Sequence, residues 1–168
     1  MTWIIKLYVV RHAAAEERGK KSVQYDDRKL TKSGIRKMRE NSKGIAEIIK
    51  TPRCIVSSPL KRAITTAEIL ASVFNGSVTI ALEDDLRPES TTAAIIQLCK
   101  KYAEQGEFVI VGHEPNLGKF VSTLLGQAER SIVLKKGSIC AVEFDVDEPK
   151  RSRLLFYLTP RLLRKISE

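Results

Sequence analysis

A chain of 168 residues, 43% apolar and 29% charged, suits one soluble domain with a real core. Its net charge of +9, from 29 basic and 20 acidic side chains, favours anionic partners, but with 6% aromatics and no recognition motif it does not read as a nucleic-acid binder. Cys54, Cys99 and Cys140 lie far apart, odd in number and without a CxxC pair, which argues against a disulfide frame or zinc site and for reduced core thiols in a cytoplasmic protein.

The first run, MTWIIKLYVV, lacks a charged leading segment. Lys6 interrupts an apolar stretch already too short to span a membrane, so the run reads as a buried strand over 3–10. Thr31 is placed to cap a helix carrying Ile35, Met38, Ile45, Ile48 and Ile49 on one face. A strand follows over 53–57. Ser58 and Pro59 read as cap and first turn of a helix with Leu60, Ala63, Ile64, Ala67, Leu70 and Val73. After a strand over 78–82, Thr91 or Thr92 opens a helix bearing Ile95, Leu98, Cys99 and Tyr102. A strand over 107–112 leads to a helix opened by Pro115, with Leu117, Phe120, Val121, Leu124 and Leu125 inward and Gly126 closing it. Two final strands, 138–145 and 153–159, are separated by too few residues for a helical crossover and should form an edge hairpin. The expected fold is a three-layer α/β/α sandwich in one domain over 1–168, with a mostly parallel sheet of about six strands and an antiparallel C-terminal hairpin.

Three turns leave the carboxyl ends of predicted parallel strands, where open α/β sheets build their ligand crevice. The first holds Arg11 and His12, the second is SSPLKRA with Ser57 and Arg62, and the third holds Gly112 and His113. Two of the three run into helix N-termini, whose N–H groups and partial charge favour an anion. Arginine forks match phosphate oxygens, and a neutral imidazole is a nucleophile near pH 7. These are the only two histidines in the chain. Together the residues describe a site that could hold a phosphoryl group and attack it.

Arg11-His12-Ala13, SSPLKRAxxTA over 57–67 and VGHEP over 111–115 resemble the motifs of the histidine phosphatase superfamily. Size and the late segment FYLTP, Phe156 to Pro160, are similar to its SixA-like phosphohistidine phosphatases. Ala13 stands where many relatives have glycine, and alanine fits a tight turn of negative φ. The resemblance implies that His12 is the nucleophile and forms a phosphohistidine intermediate that water hydrolyses. It implies that Arg11, Arg62 and His113 hold the phosphoryl oxygens and stabilise the transition state. A carboxylate near EDDLRPE would be the general acid, with Asp85 aligning best and Glu83, Asp84 and Glu89 as rivals. Ser57 either gives a hydroxyl to the phosphate or caps a turn, and Glu114 and Asn116 are assigned to helix capping. No cofactor and no metal are expected.

About fifty residues separate each of His12, Arg62 and His113 from the next, all used by predicted elements, which leaves no long insertion for a lid. An uncovered site would admit a phosphorylated side chain of another protein, and a protonated imidazole leaves more readily than a sugar alkoxide. The leading expectation is therefore a monomeric phosphatase acting on phosphohistidine of a phosphorelay domain or phosphocarrier, with no nucleic-acid or membrane partner. A small-molecule phosphomonoesterase is the first alternative, and a non-catalytic basic phosphate-binding module the second. Lys61, Lys135 and Lys136 are candidates for steering an acidic partner, the remaining basic charge being assigned to solvated helix faces.

Overall fold

The computed structural model describes residues 2–17 and 27–168; Lys20 and Lys21, part of the basic balance, lie outside them. Chain order is β1 (Ile4–Arg11), α1 (Lys32–Ile48), β2 (Cys54–Ser57), α2 (Lys61–Ser72), β3 (Thr79–Leu82), α3 (Thr92–Tyr102), β4 (Phe108–Gly112), α4 (Asn116–Leu124), β5 (Ile139–Asp145), β6 (Arg153–Leu158) and α5 (Pro160–Ile166). One six-stranded sheet runs β3-β2-β4-β1-β5-β6. The pairs β3·β2, β2·β4 and β4·β1 are parallel, while β1·β5 and β5·β6 are antiparallel. The short connection between β5 and β6 thus makes the expected edge hairpin.

Alternation along β1 sends Leu7 and Val9 to one face and Tyr8 and Val10 to the other. On the first face they meet Ile95, Leu98 and Cys99 of α3 and Phe120, Val121 and Leu124 of α4. On the second they meet Met38 and Ile45 of α1, Ala67 and Leu70 of α2, and Leu163 of α5. Both sheet faces are covered, so the strands read as continuous apolar runs. All three cysteines are buried free thiols. Among the described residues no helix is long and apolar enough to cross a membrane.

The caps at Thr31 and Thr91 form as expected, each side-chain oxygen accepting from the N–H three residues on, Gly34 and Ala94. One cap and one buried face differ. Ser58 does not cap α2; Leu60 holds that position, and the Ser58 hydroxyl accepts from Leu60 N–H at 3.4 Å while also meeting His113. In α1 the buried face includes Asn41, Ser42 and Gly44, whereas Ile35 and Ile48 are only half-buried. The reason is α5, an element beyond the predicted set, whose signal was Thr159-Pro160, a capping residue before a first-turn proline. Gly44 lets α5 approach: a Cβ there would lie 2.1 Å from the Leu163 carbonyl oxygen.

Candidate active site

Strand order decides what the turns can build. Because β4 lies between β1 and β2, the ends of all three are adjacent, with Arg11 opposite Gly112 and Ser57 opposite Val111. The ladder continues one residue into the turns: His12 N–H donates to Gly112 O at 3.1 Å and Ser58 N–H to Val111 O at 2.9 Å. Thr66 ties the first turn to the second, its hydroxyl accepting from Ala13 N–H at 3.0 Å and donating to Arg62 O at 2.7 Å. This gives the threonine of SSPLKRAxxTA a structural task.

His12 is buried, with Nδ1 2.7 Å from the Ala13 carbonyl oxygen. A carbonyl can only accept, so Nδ1 carries the proton and Nε2 keeps its lone pair. Burial drives the His12 pKa down to about 3, with Arg62, Arg11 and Lys136 pushing the same way and the Ala13 hydrogen bond opposing. His12 is therefore a neutral imidazole whose Nε2 keeps a free lone pair. His113 lies beside it, ring centroids 5.1 Å apart, its pKa lowered to about 2 by burial and then by His12, Arg62, Arg28 and Arg11. Its Nε2 is 2.8 Å from Ser58 Oγ, while its buried Nδ1 has no hydrogen-bond partner among the described residues.

Arg62 is the largest fully buried side chain, set in the first turn of α2. Arg11 is half-buried and donates through Nη1 to Leu134 O at 2.8 Å; burial lowers its pKa, and Glu114 and Tyr157 oppose that fall. These four residues line one pocket of about 350 Å³, with Arg28 and Lys136 adding cations and Glu16, Glu17 and Glu114 carboxylates at its wall. A larger hollow of about 510 Å³ lies between residues 46–51 and 73–75 and contains neither histidine nor arginine.

The structure thus brings Arg11, His12, Arg62 and His113 together and leaves two other candidates apart. Ser57 is buried and spends its hydroxyl on the Ser58 carbonyl at 2.9 Å, so the hydroxyl that meets His113 belongs to Ser58. Asp85 is exposed on the short turn Asp84–Leu86 and does not line the pocket. Glu83 is held by Lys101 and Tyr102, both at 2.7 Å, which keep its carboxyl below the usual range. Asp84 and Glu89 lie against Arg87 at 4.0 and 2.7 Å. Arg28 and Glu114, expected on a solvated helix face and in a helix cap, line the pocket, and so do Glu16 and Glu17, for which the sequence offered no signal. Among the described residues no group of His, Cys, Asp and Glu could hold a metal ion.

Fold and pocket define an α/β protein with a two-histidine, arginine-lined crevice at the carboxyl edge of its parallel strands. The family model described as histidine phosphatase superfamily (branch 1) matches residues 7–88, and the chain belongs to that superfamily. An uncharacterized protein of Picosynechococcus sp. is 30% identical over 138 residues, 80% of this chain and 82% of its own. Similar solved structures include SixA from Agrobacterium tumefaciens, a candidate phosphohistidine phosphatase (TM-score 0.79, 21% identity, 93% of this chain and 98% of that one). The protein histidine phosphatase SixA complexed with tungstate superposes equally well (TM-score 0.79, 18% identity, 94% and 98%). A mycobacterial glucosyl-3-phosphoglycerate phosphatase follows at TM-score 0.73 and 14% identity, covering 93% and 99%. At these identities the likeness to solved structures is one of fold.

Proposed function

We propose that this phosphatase removes phosphate from a phosphohistidine side chain of a partner protein. His12 Nε2 attacks phosphorus in line, the N–P bond to His12 forms and the bond to the substrate imidazole breaks. The departing ring carries its own proton. Water then hydrolyses phospho-His12 to free phosphate. Arg11, Arg62 and His113 would hold the equatorial oxygens as charge redistributes, the term expected to dominate catalysis of phosphoryl transfer.

The observation that carries this reading is the placement of the acidic turn. None of Glu83, Asp84, Asp85 and Glu89 lines the pocket, and Glu83, Asp84 and Glu89 lie against cations of their own. Without an acid from that turn, a leaving group that departs as a neutral ring is favoured over an alkoxide. One feature favours the small-molecule phosphomonoesterase: Glu16 and Glu17 line the pocket and could protonate an ester oxygen. Comparing kcat/KM on a phosphohistidine-bearing phosphocarrier with that on sugar phosphates decides between them. The proposal expects the protein to be preferred by orders of magnitude; preference for any sugar phosphate would refute it.

A further inference from the structure

Glu114 is a carboxylate in the wall of an anion pocket, a place where it should repel the substrate. Its geometry gives it another task. Oε1 accepts from Leu134 N–H at 2.6 Å, and the carbonyl of the same residue accepts from Arg11 Nη1 at 2.8 Å. Leu134 is fully buried in the core, so its backbone cannot drift toward solvent. Three nearby N–H groups are tethered as well: Ile132 N–H to Ser122 Oγ at 2.9 Å, Lys135 N–H to Tyr157 Oη at 3.0 Å, and Gly137 N–H to Arg11 O at 3.0 Å. Of the four acceptor groups, the Glu114 carboxylate is the only charged one.

Room for this contact comes from Gly118, one helical turn after Glu114. A Cβ at Gly118 would lie 2.8 and 2.9 Å from the two Glu114 carboxylate oxygens and 2.4 Å from Ile132 O. The negative charge also offsets part of the cost of half-burying the Arg11 guanidinium. We infer that Glu114 is a positioning residue for Arg11, acting through the backbone of Leu134, so that the turn after β4 sets the aim of the arginine at the end of β1. The inference rests on Arg11 contacting the phosphoryl group, as proposed above.

A double-mutant cycle tests it, read by calorimetric tungstate affinity and by kcat and KM for an aryl phosphate. Glu114→Ala should weaken tungstate binding and lower kcat/KM by about 10- to 100-fold, the scale of a small misplacement of a charge-holding group. Glu114→Gln keeps an oxygen for Leu134 N–H and should recover all but a few-fold of that loss. In the Arg11→Ala background, both Glu114 substitutions should cost nothing more. Losses that multiply with that of Arg11→Ala would overturn the inference, because Glu114 would then act by another route. Should Glu114→Ala fail to fold, the cycle with Glu114→Gln asks the same question of the smaller effect. Tungstate binding does not depend on the substrate. A wild type that binds tungstate and obeys the cycle but spares phosphohistidine overturns the proposed function alone.

Discussion

At the scale of single residues, the site depends on an imidazole kept neutral and aimed by one backbone carbonyl. His12→Ala should abolish aryl phosphate turnover while leaving circular dichroism and thermal unfolding near wild type, and rapid quench of the wild type should trap phosphate on His12. Label on another residue would refute the assignment. Arg62→Ala and His113→Ala should each cost at least ~10²-fold in rate, the scale for one preorganised donor. Because the pKa of His12 falls to about 3 and that of His113 to about 2, neither ring should titrate near the ordinary 6.5. NMR of the free protein should show both as neutral from pH 8 down to about 4.5. The same shifts predict acid lability. Below pH 6.5 the unfolded chain binds protons that the folded rings refuse, so stability should fall as pH drops from 6.5 toward 3. Replacing both rings with asparagine should flatten that slope in a series of melts, and an unchanged slope would locate the lability elsewhere.

At the scale of elements, the site is held by contacts between segments distant in sequence. Thr66 joins the turn after β1 to α2, Ser58 joins the turn after β2 to His113, and Asn116 Nδ2 donates to the carbonyls of Pro88 and Ser90, both at 2.7 Å. That last clamp fixes the stretch following the acidic turn to the start of α4. The α1–α5 contact leaves no room for a side chain at Gly44. Gly44→Ala puts a methyl against backbone rather than a flexible side chain, so relief requires a shift of α5. Overpacking of this kind costs about 1–3 kcal/mol, or roughly 2–9 °C in Tm for a domain of this size. Differential scanning calorimetry should show the loss with aryl phosphate kcat nearly intact, since α5 does not line the pocket. A neutral Tm would mean that the two helices are not closely apposed.

On the scale of the whole molecule, the +9 charge is unevenly useful. Lys136 lines the pocket and lowers the His12 pKa, whereas Lys61 is tied to Asp27 in an exposed pair at 2.7 Å. Exposed cations act over a Debye length of roughly 8 Å at physiological ionic strength. If the substrate is an acidic phosphoprotein, raising salt should lower its kcat/KM through slower association. A small aryl phosphate, which would be held by Arg62 and the half-buried Arg11, should respond much less. Lys136→Glu should reproduce the salt effect at low ionic strength, and Lys61→Glu should do so weakly. Equal salt sensitivity of the two substrates would assign the charge to solubility alone.

Much of this was legible in the amino-acid order because it is local. The strands over 54–57 and 108–112 are short apolar runs between turn signals, Thr31 and Thr91 are caps by side-chain chemistry, and a histidine at a strand end stays there whatever surrounds it. Local pattern therefore determined the alternating elements and the positions of Arg11, His12, Arg62 and His113. Which side chains share a pocket depends on strand order and helix rotation, which no local pattern encodes. Only the tertiary arrangement brings Ser58 rather than Ser57 to His113 and leaves Asp85 exposed outside the pocket. Only tertiary packing folds the segment around Leu134 between Glu114 and Arg11 and draws Arg28 and Lys136 to the rim. These contacts join residues up to 123 positions apart, so they exist only once the sheet has set its order.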